Sequence, residues 1–383
     1  MTKKQGDNVE VSLRPPSLRD YIGQEKSKKA LEVFLKAGIQ RGGSIEHLLF
    51  YGPPGMGKTT LAHIVARELS SDLKITSGPA IEKAGDLAAI LTNLNDNDVL
   101  FIDEIHRLPR SVEEALYPVM EDFALDIVLG KGPAARTVRL NVPRIIIIGA
   151  TTRMALLSAP FRDRFGLVLN LDFYTVDEMA QIIQRSAEIL KLPLLPQAAV
   201  EIAKRSRKTP RIANRMLKRL RDVQEIHDYA SIDVAALERL FDLLDIDSEG
   251  LQNIDKKYLH LLITKFNGGP AGLSTIAVSL SEDKQTIEEF VEPYLLQSGF
   301  IKKTTKGRVA TKKAYDHMGL AHHYAASADA SPQQEKNWYN TGYFDCSGGE
   351  IGIHAVLRRL CSNAWRFKSS PEHIQIYANL WQY

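Results

Sequence analysis

Gly52-Pro-Pro-Gly-Met-Gly-Lys-Thr59 is the stretch on which the fold of this chain turns. It follows an apolar run, His47-Leu-Leu-Phe-Tyr51, and precedes a helical pattern through Leu61, Ile64 and Val65. The G-x-x-x-x-G-K-T spacing therefore sits where a phosphate-binding loop needs it, between a buried strand and a helix N-terminus. Gly52, Gly55 and Gly57 let the backbone bend until several N–H groups face one phosphate chain. Lys58 supplies a point charge to the β- and γ-phosphates, and the Thr59 hydroxyl is placed to ligate Mg²⁺.

Working outward, further β-branched or apolar runs alternate with helical patterns: Leu73-Lys-Ile-Thr-Ser77, Val99-Leu-Phe-Ile102, Arg144-Ile-Ile-Ile-Ile-Gly149 and Leu167-Val-Leu-Asn-Leu171. Strands apolar on both faces and separated by helices predict an α/β domain with a parallel, doubly wound sheet. Two capping boxes, Ser111-Val-Glu-Glu114 and Thr175-Val-Asp-Glu178, mark helix starts. From Thr175 to about Asp245 only helical spacing recurs, which predicts a small bundle beside the sheet domain. Residues 251–320 read as three helices and a hairpin, Phe300-Ile-Lys-Lys to Arg308-Val-Ala-Thr311, turning at Lys306-Gly307, which is the winged form of helix-turn-helix. The expected domains are residues 1–173, 174–247, 248–320 and an atypical extension, 321–383.

Chemistry-bearing residues stand at the strand ends. Val99-Leu-Phe-Ile-Asp-Glu104 finishes a buried strand in two carboxylates, which are costly there unless a cation is near. Asp103 is assigned to the Mg²⁺ shell and Glu104 to polarising the water that attacks the γ-phosphate. Ile148-Gly-Ala-Thr-Thr152 ends a strand in hydroxyls; Thr152 is the candidate γ-phosphate reporter, with Thr151 its rival. Arg164, in Arg162-Asp-Arg-Phe-Gly166, is placed to project onto a nucleotide held by a neighbouring subunit, or else pairs with Asp163. Arg211, at the first turn of a bundle helix, touches nucleotide from the other side, or belongs to a solvated basic face with Lys218, Arg219 and Arg221.

Composition bounds the rest. With 383 residues, 44% hydrophobic, 25% charged and a net charge of +3, the chain is of ordinary globular composition, which excludes collagen-like, disordered and disulfide-stapled classes. No apolar run reaches the ~20 residues of a membrane span and no secretory leader is visible, so a cytoplasmic location is expected.

The order of these motifs resembles the AAA+ ATPases and, within them, the RuvB family of bacterial Holliday-junction branch-migration motors. The resemblance covers about residues 10–320 and rests on long strings: Leu48-Leu-Phe-Tyr-Gly-Pro-Pro-Gly55, Ser77-Gly-Pro-Ala-Ile-Glu-Lys-Ala-Gly-Asp-Leu-Ala-Ala89, Leu100-Phe-Ile-Asp-Glu-Ile-His-Arg107, Gly149-Ala-Thr-Thr-Arg153 and Thr209-Pro-Arg-Ile-Ala-Asn-Arg215. It implies a P-loop AAA+ sheet domain, a helical lid and a winged-helix head, with ATP and Mg²⁺ bound. By the same resemblance Leu13, Arg14, Tyr21 and Ile22 surround adenine and ribose, and Thr60 joins the phosphate loop. Glu121, Asp122, Phe123 and Tyr174 line the nucleotide pocket, Arg211 is a second sensor, and Arg164 is a finger given to a neighbour. Lys303 and Arg308 touch DNA, and a hairpin over Leu125–Val142 docks on RuvA. The implied function is an ATP-dependent DNA translocase that drives branch migration of Holliday junctions in recombination and repair. It works as a ring, a hexamer in the family, with RuvA and with RuvC as a further partner. A clamp-loader-like switch and a nucleotide-regulated DNA-binding protein are the alternatives.

The last 63 residues depart from that family. They hold both cysteines, Cys346 and Cys361, and all three tryptophans, Trp338, Trp365 and Trp381. The wide cysteine spacing matches no zinc finger. Codon choices exist for which Cys346-Ser-Gly348 and Pro371-Glu-His373 are reverse complements around a tRNA-like stretch at Trp365–Ser369. The tail is thus read as translation into a neighbouring tRNA gene, which sequencing of the gene tests.

Overall fold

The computed structural model describes residues 13–42, 45–129, 136–227 and 230–320. The tail with its cysteines, and the tip of the 124–141 hairpin, lie outside the described residues. Five strands form one parallel sheet: β1 (Leu48–Tyr51), β2 (Leu73–Ser77), β3 (Val99–Asp103), β6 (Ile146–Thr151) and β7 (Leu167–Asn170), in the order β2-β3-β6-β1-β7. The alternation of side chains along a strand shows in what each residue meets. Leu48, Phe50, Val99, Phe101, Ile146 and Ile148 enter one apolar core, whereas Leu49, Leu100, Ile102 and Ile147 enter another on the opposite face. Continuous apolar runs are therefore what a sheet covered on both sides demands.

The first core continues into the helical lid. Helices Val176–Ile189, Pro196–Arg205, Pro210–His227 and Val234–Leu243 contribute Met179, Ile183, Ile202, Leu217 and Leu237 to the cluster that holds Phe50 and Phe101. Thr175 caps the first of these helices and Glu178 returns a bond to the Thr175 N–H, as the capping box predicts. The other box fails. Helix Arg110–Asp122 starts before Ser111, because the Pro109 carbonyl already accepts from the N–H groups of Val112 and Glu113, and no side chain caps it. The second core extends beneath the two-stranded hairpin of β4 (Ala124–Leu129) and β5 (Arg136–Asn141), through Leu125, Ile127 and Leu140.

The head has a separate core around Tyr258, Leu262, Ile276, Leu295 and Phe300. Its helices are Asn253–Thr264, Leu273–Leu280 and a run from Lys284 to Gln297 that widens into a π turn at Ile287–Val291. The wing pairs β8 (Ile301–Thr304) with β9 (Gly307–Ala310). Its turn is Thr305-Lys306, one residue earlier than predicted, and Gly307 opens β9. Gly307 has φ 143°, and a Cβ there would lie 2.5 Å from the Ala271 carbonyl oxygen, so the glycine serves a close backbone approach. Arg207 joins lid to head: its guanidinium pairs with buried Asp255 and donates to the Gly250 carbonyl at 3.1 Å. Among the described residues no helix is long and apolar enough to cross a membrane.

Candidate nucleotide cleft

A cleft of about 610 Å³ opens at the seam of sheet domain and lid. Pro54, Gly55, Gly57, Lys58, Thr59 and Thr60 of the loop line it, with Leu13, Arg14, Tyr21 and Ile22 of the N-terminal segment and Tyr174 at the start of the lid. Gly52 lies behind the loop, where φ 142° and the Leu171 carbonyl oxygen, which any Cβ would strike, leave room for glycine alone. Lys58 is almost fully buried; its Nζ donates to the carbonyls of Gly52 and Pro53, each at 2.8 Å. Burial lowers its ammonium to about 8, with Asp103 opposing and Arg211 adding to the fall. A buried ammonium that, among the described residues, bonds neutral carbonyls and has the Asp103 carboxylate near it is a site under-supplied with negative charge, which a polyphosphate would provide. Arg14 also meets the His63 ring from the helix below.

Asp103 and Glu104 reach the cleft from the carboxyl end of β3. Asp103 Oδ1 accepts the Glu104 N–H at 2.9 Å, and Glu104 has left-handed φ, 47°. The Glu104 carboxylate pairs with Arg107 at 3.0 Å, both side chains half exposed. Thr59 and Asp103 line the same cleft, and their side chains offer the oxygen donors that Mg²⁺ takes. Thr152 lines the cleft as well. Its rival Thr151 is buried and committed: Oγ1 lies 3.0 Å from His106 Nδ1 and accepts the Arg153 N–H at 2.9 Å.

Arg164 stands elsewhere. It lies over the Tyr117 ring at 4.2 Å, donates to the Pro160 carbonyl at 2.6 Å, and pairs with Glu121, not Asp163, at 3.1 Å. Glu121, Asp122 and Phe123 do not line this chain's own cleft, contrary to what the resemblance implies. Glu121 holds Arg164, Asp122 pairs with Arg139 at 2.7 Å, and Phe123 lies under Arg144. These residues sit at the end of helix Arg110–Asp122, with Glu121 beside Arg164. Arg308 is a second correction. Instead of facing outward it is buried, forming a two-point pair with Glu292 at 2.7 and 2.9 Å beneath Tyr258, whereas Lys303 is exposed.

Arg211 lines the cleft, and so do Arg215 and, although the basic-face reading left them to solvent, Lys218 and Arg219 of the same helix. Arg215 and Lys218 fall four and seven residues after Arg211, so helical spacing already places them on its face. Arg185 and Phe290 also line the cleft without any local signal in the sequence. Phe290 comes from the π turn of the head, whose Glu288 and Glu289 pair with Arg153 at 3.4 and 2.9 Å.

Comparison with known proteins agrees with this geometry. Residues 13–171 match the model of the Holliday junction DNA helicase RuvB P-loop domain, 174–247 the RuvB AAA lid domain, and 248–319 the RuvB C-terminal winged helix domain. The Holliday junction branch migration complex subunit RuvB of Clostridium kluyveri is 54% identical over 342 residues, 89% of this chain and 95% of that protein. Among solved structures, the Thermotoga maritima RuvB Holliday junction branch migration motor is 47% identical with a TM-score of 0.74, covering 81% of this chain and 99% of that one. A point mutant of the same Thermotoga protein, with the same identity and coverage, superposes with a TM-score of 0.75. Loop, strand-end acids, lid arginine and winged head thus all lie within matched domains, and the chain belongs to the RuvB family of AAA+ ATPases.

Proposed function

We propose that this chain is an ATP-hydrolysing motor of Holliday-junction branch migration, working as a ring with RuvA on the duplex arms. The observation that carries the reading is the convergence of Lys58, Thr59, Asp103, Glu104, Thr152 and Arg211 on one cleft, which Arg164, paired with Glu121, does not line. Lys58 and the loop N–H groups bind the phosphates, Glu104 takes a proton from the attacking water, and Thr152 and Arg211 sense the γ-phosphate from sheet and lid. Thr59 and Asp103 would hold Mg²⁺, which would supply positive charge against the phosphates. Arg164 completes the site of the next subunit, which makes hydrolysis depend on a closed ring, six-membered as in the family. Exposed Lys303 on the wing holds the DNA backbone, and hairpin 124–141 takes RuvA.

The test compares ATPase rate with and without four-way junction DNA and RuvA against strand-exchange output. A motor shows both stimulated turnover and exchange. Turnover that junction DNA and RuvA leave unchanged, or stimulated turnover with no exchange, refutes the reading.

A further inference from the structure

We infer that Tyr21 and Tyr174 act as positioning residues for the nucleotide phosphates, fixing the orientation of the Met56–Gly57 peptide through the Met56 carbonyl. Both phenols reach that oxygen, Tyr21 Oη at 3.2 Å and Tyr174 Oη at 3.1 Å, and lie 2.9 Å from each other. All three side chains are buried: Tyr21 is 4% exposed, Tyr174 3% and Met56 0%. A trans peptide is planar, so its C=O and N–H point in opposite directions. With the Met56 carbonyl held by the phenols, the Gly57 N–H is turned the opposite way, and Gly57 and Lys58 both line the cleft.

That N–H stands at the start of helix Lys58–Glu68, whose N-cap is Gly57 and which has no side-chain cap. Its donors are thus left for a ligand. Rotating the peptide by half a turn would put a carbonyl oxygen where phosphate oxygens go and leave two buried phenols without their acceptor. Gly57 itself is fitted to the arrangement, with φ 102° and the Tyr21 Oη 2.7 Å from any Cβ. Three contacts share two hydroxyl protons, so one phenol donates to the carbonyl and the other donates either to the carbonyl or to its neighbour. Either phenol alone still supplies one donor. The two also come from different places, Tyr21 from the segment before helix Glu25–Gln40 and Tyr174 from the residue before the lid's Thr175 cap. The loop is therefore referenced to the lid as well as to its own domain.

The inference rests on the reading that this cleft binds nucleotide phosphates. It is tested in the full chain by binding of ADP and of inorganic pyrophosphate, the latter by displacement of a fluorescent ADP. The proteins are wild type, Tyr21→Phe, Tyr174→Phe, the double variant, and Lys58→Ala as a control on the loop. Each single variant should lose part of the affinity for both ligands, and the double variant should lose about tenfold or more, clearly beyond either single loss, the cost of leaving a buried acceptor unmet. The loss should be equal for pyrophosphate, which has no base. Wild-type affinity in a folded double variant, or a loss seen with ADP but not with pyrophosphate, overturns the inference. So does a single variant that reproduces the whole loss. Lys58→Ala with unchanged ADP affinity would instead sink the phosphate-loop reading itself. Should the double variant not fold, the carbonyl carbon-13 shift of Met56 decides: it should move upfield in each single variant, and no movement in either overturns the inference.

Discussion

Lys58 and Glu104 share one cleft but should fail differently. Lys58→Ala removes the only ammonium from a loop whose other donors are backbone groups, so ADP affinity should fall at least tenfold by calorimetry. Glu104→Gln keeps the shape of the side chain but not its basicity, so ATP should still bind while turnover drops by about 10² or more. A Gln variant that hydrolyses at the wild-type rate would remove Glu104 from the mechanism. How far such single residues can be read from sequence varies with what decides them. The loop, Asp103 and Glu104 were legible because strand, turn and helix fix where each points. Thr151 and Thr152 were not separable, since one residue of register along β6 decides which enters the cleft and which meets His106. Arg308 looked like its basic neighbours because its partner Glu292 is 16 residues away on another element.

Single elements carry three more predictions. In the wing, Lys303→Ala should weaken DNA binding alike for all sequences and reduce the log–log salt slope by about 1, the signature of a lost phosphate contact. Arg308→Ala should chiefly destabilise the head, by about 3 kcal/mol or more, because Glu292 is left buried and unpaired. Thermal melting paired with salt titration distinguishes the two. At the entrance to β1, the buried ring of His47 accepts the Ile147 N–H at Nδ1 and lies 3.1 Å from the Met120 carbonyl at Nε2. Only a neutral imidazole satisfies both, and burial lowers its pKa, with Met120 and Glu46 opposing. The unfolded chain then binds the extra proton, so this contribution is complete above about pH 6.5 and is lost as pH falls below it, with a slope of up to about 1.4 kcal/mol per unit. Denaturant titrations of His47→Gln should show less acid sensitivity than wild type between pH 5 and 7. Element types and order were readable from period and punctuation; the first residue of helix Arg110–Asp122 and the wing turn were not, because Pro109 and the Ala271 contact set them.

For the whole molecule the test is assembly. Arg164→Ala should bind ATP yet hydrolyse it at least 10³-fold more slowly, the range for a finger supplied to a neighbour's phosphates. Mixing it with Lys58→Ala should restore activity at interfaces that unite an intact loop with an intact finger. Wild-type turnover by Arg164→Ala in assembled rings would reject the assignment. The order of sheet, helical lid and winged head was legible because the apolar period changes along the chain, but the contacts between them were not: sheet and lid share one core, and nothing local announces that Phe290 reaches a cleft built around residue 58. The ion pairs from Arg153, next to Thr152, to Glu288 and Glu289 beside that phenylalanine have a thermodynamic consequence. They join the neighbour of Thr152, the proposed γ-phosphate sensor, to the domain that carries the wing. If ATP binding, acting through these pairs, changes the head's affinity for DNA by some factor, DNA bound to the head must change ATP affinity by the same factor, since linkage is reciprocal. On that account the nucleic acid is an effector of the enzyme as well as its cargo.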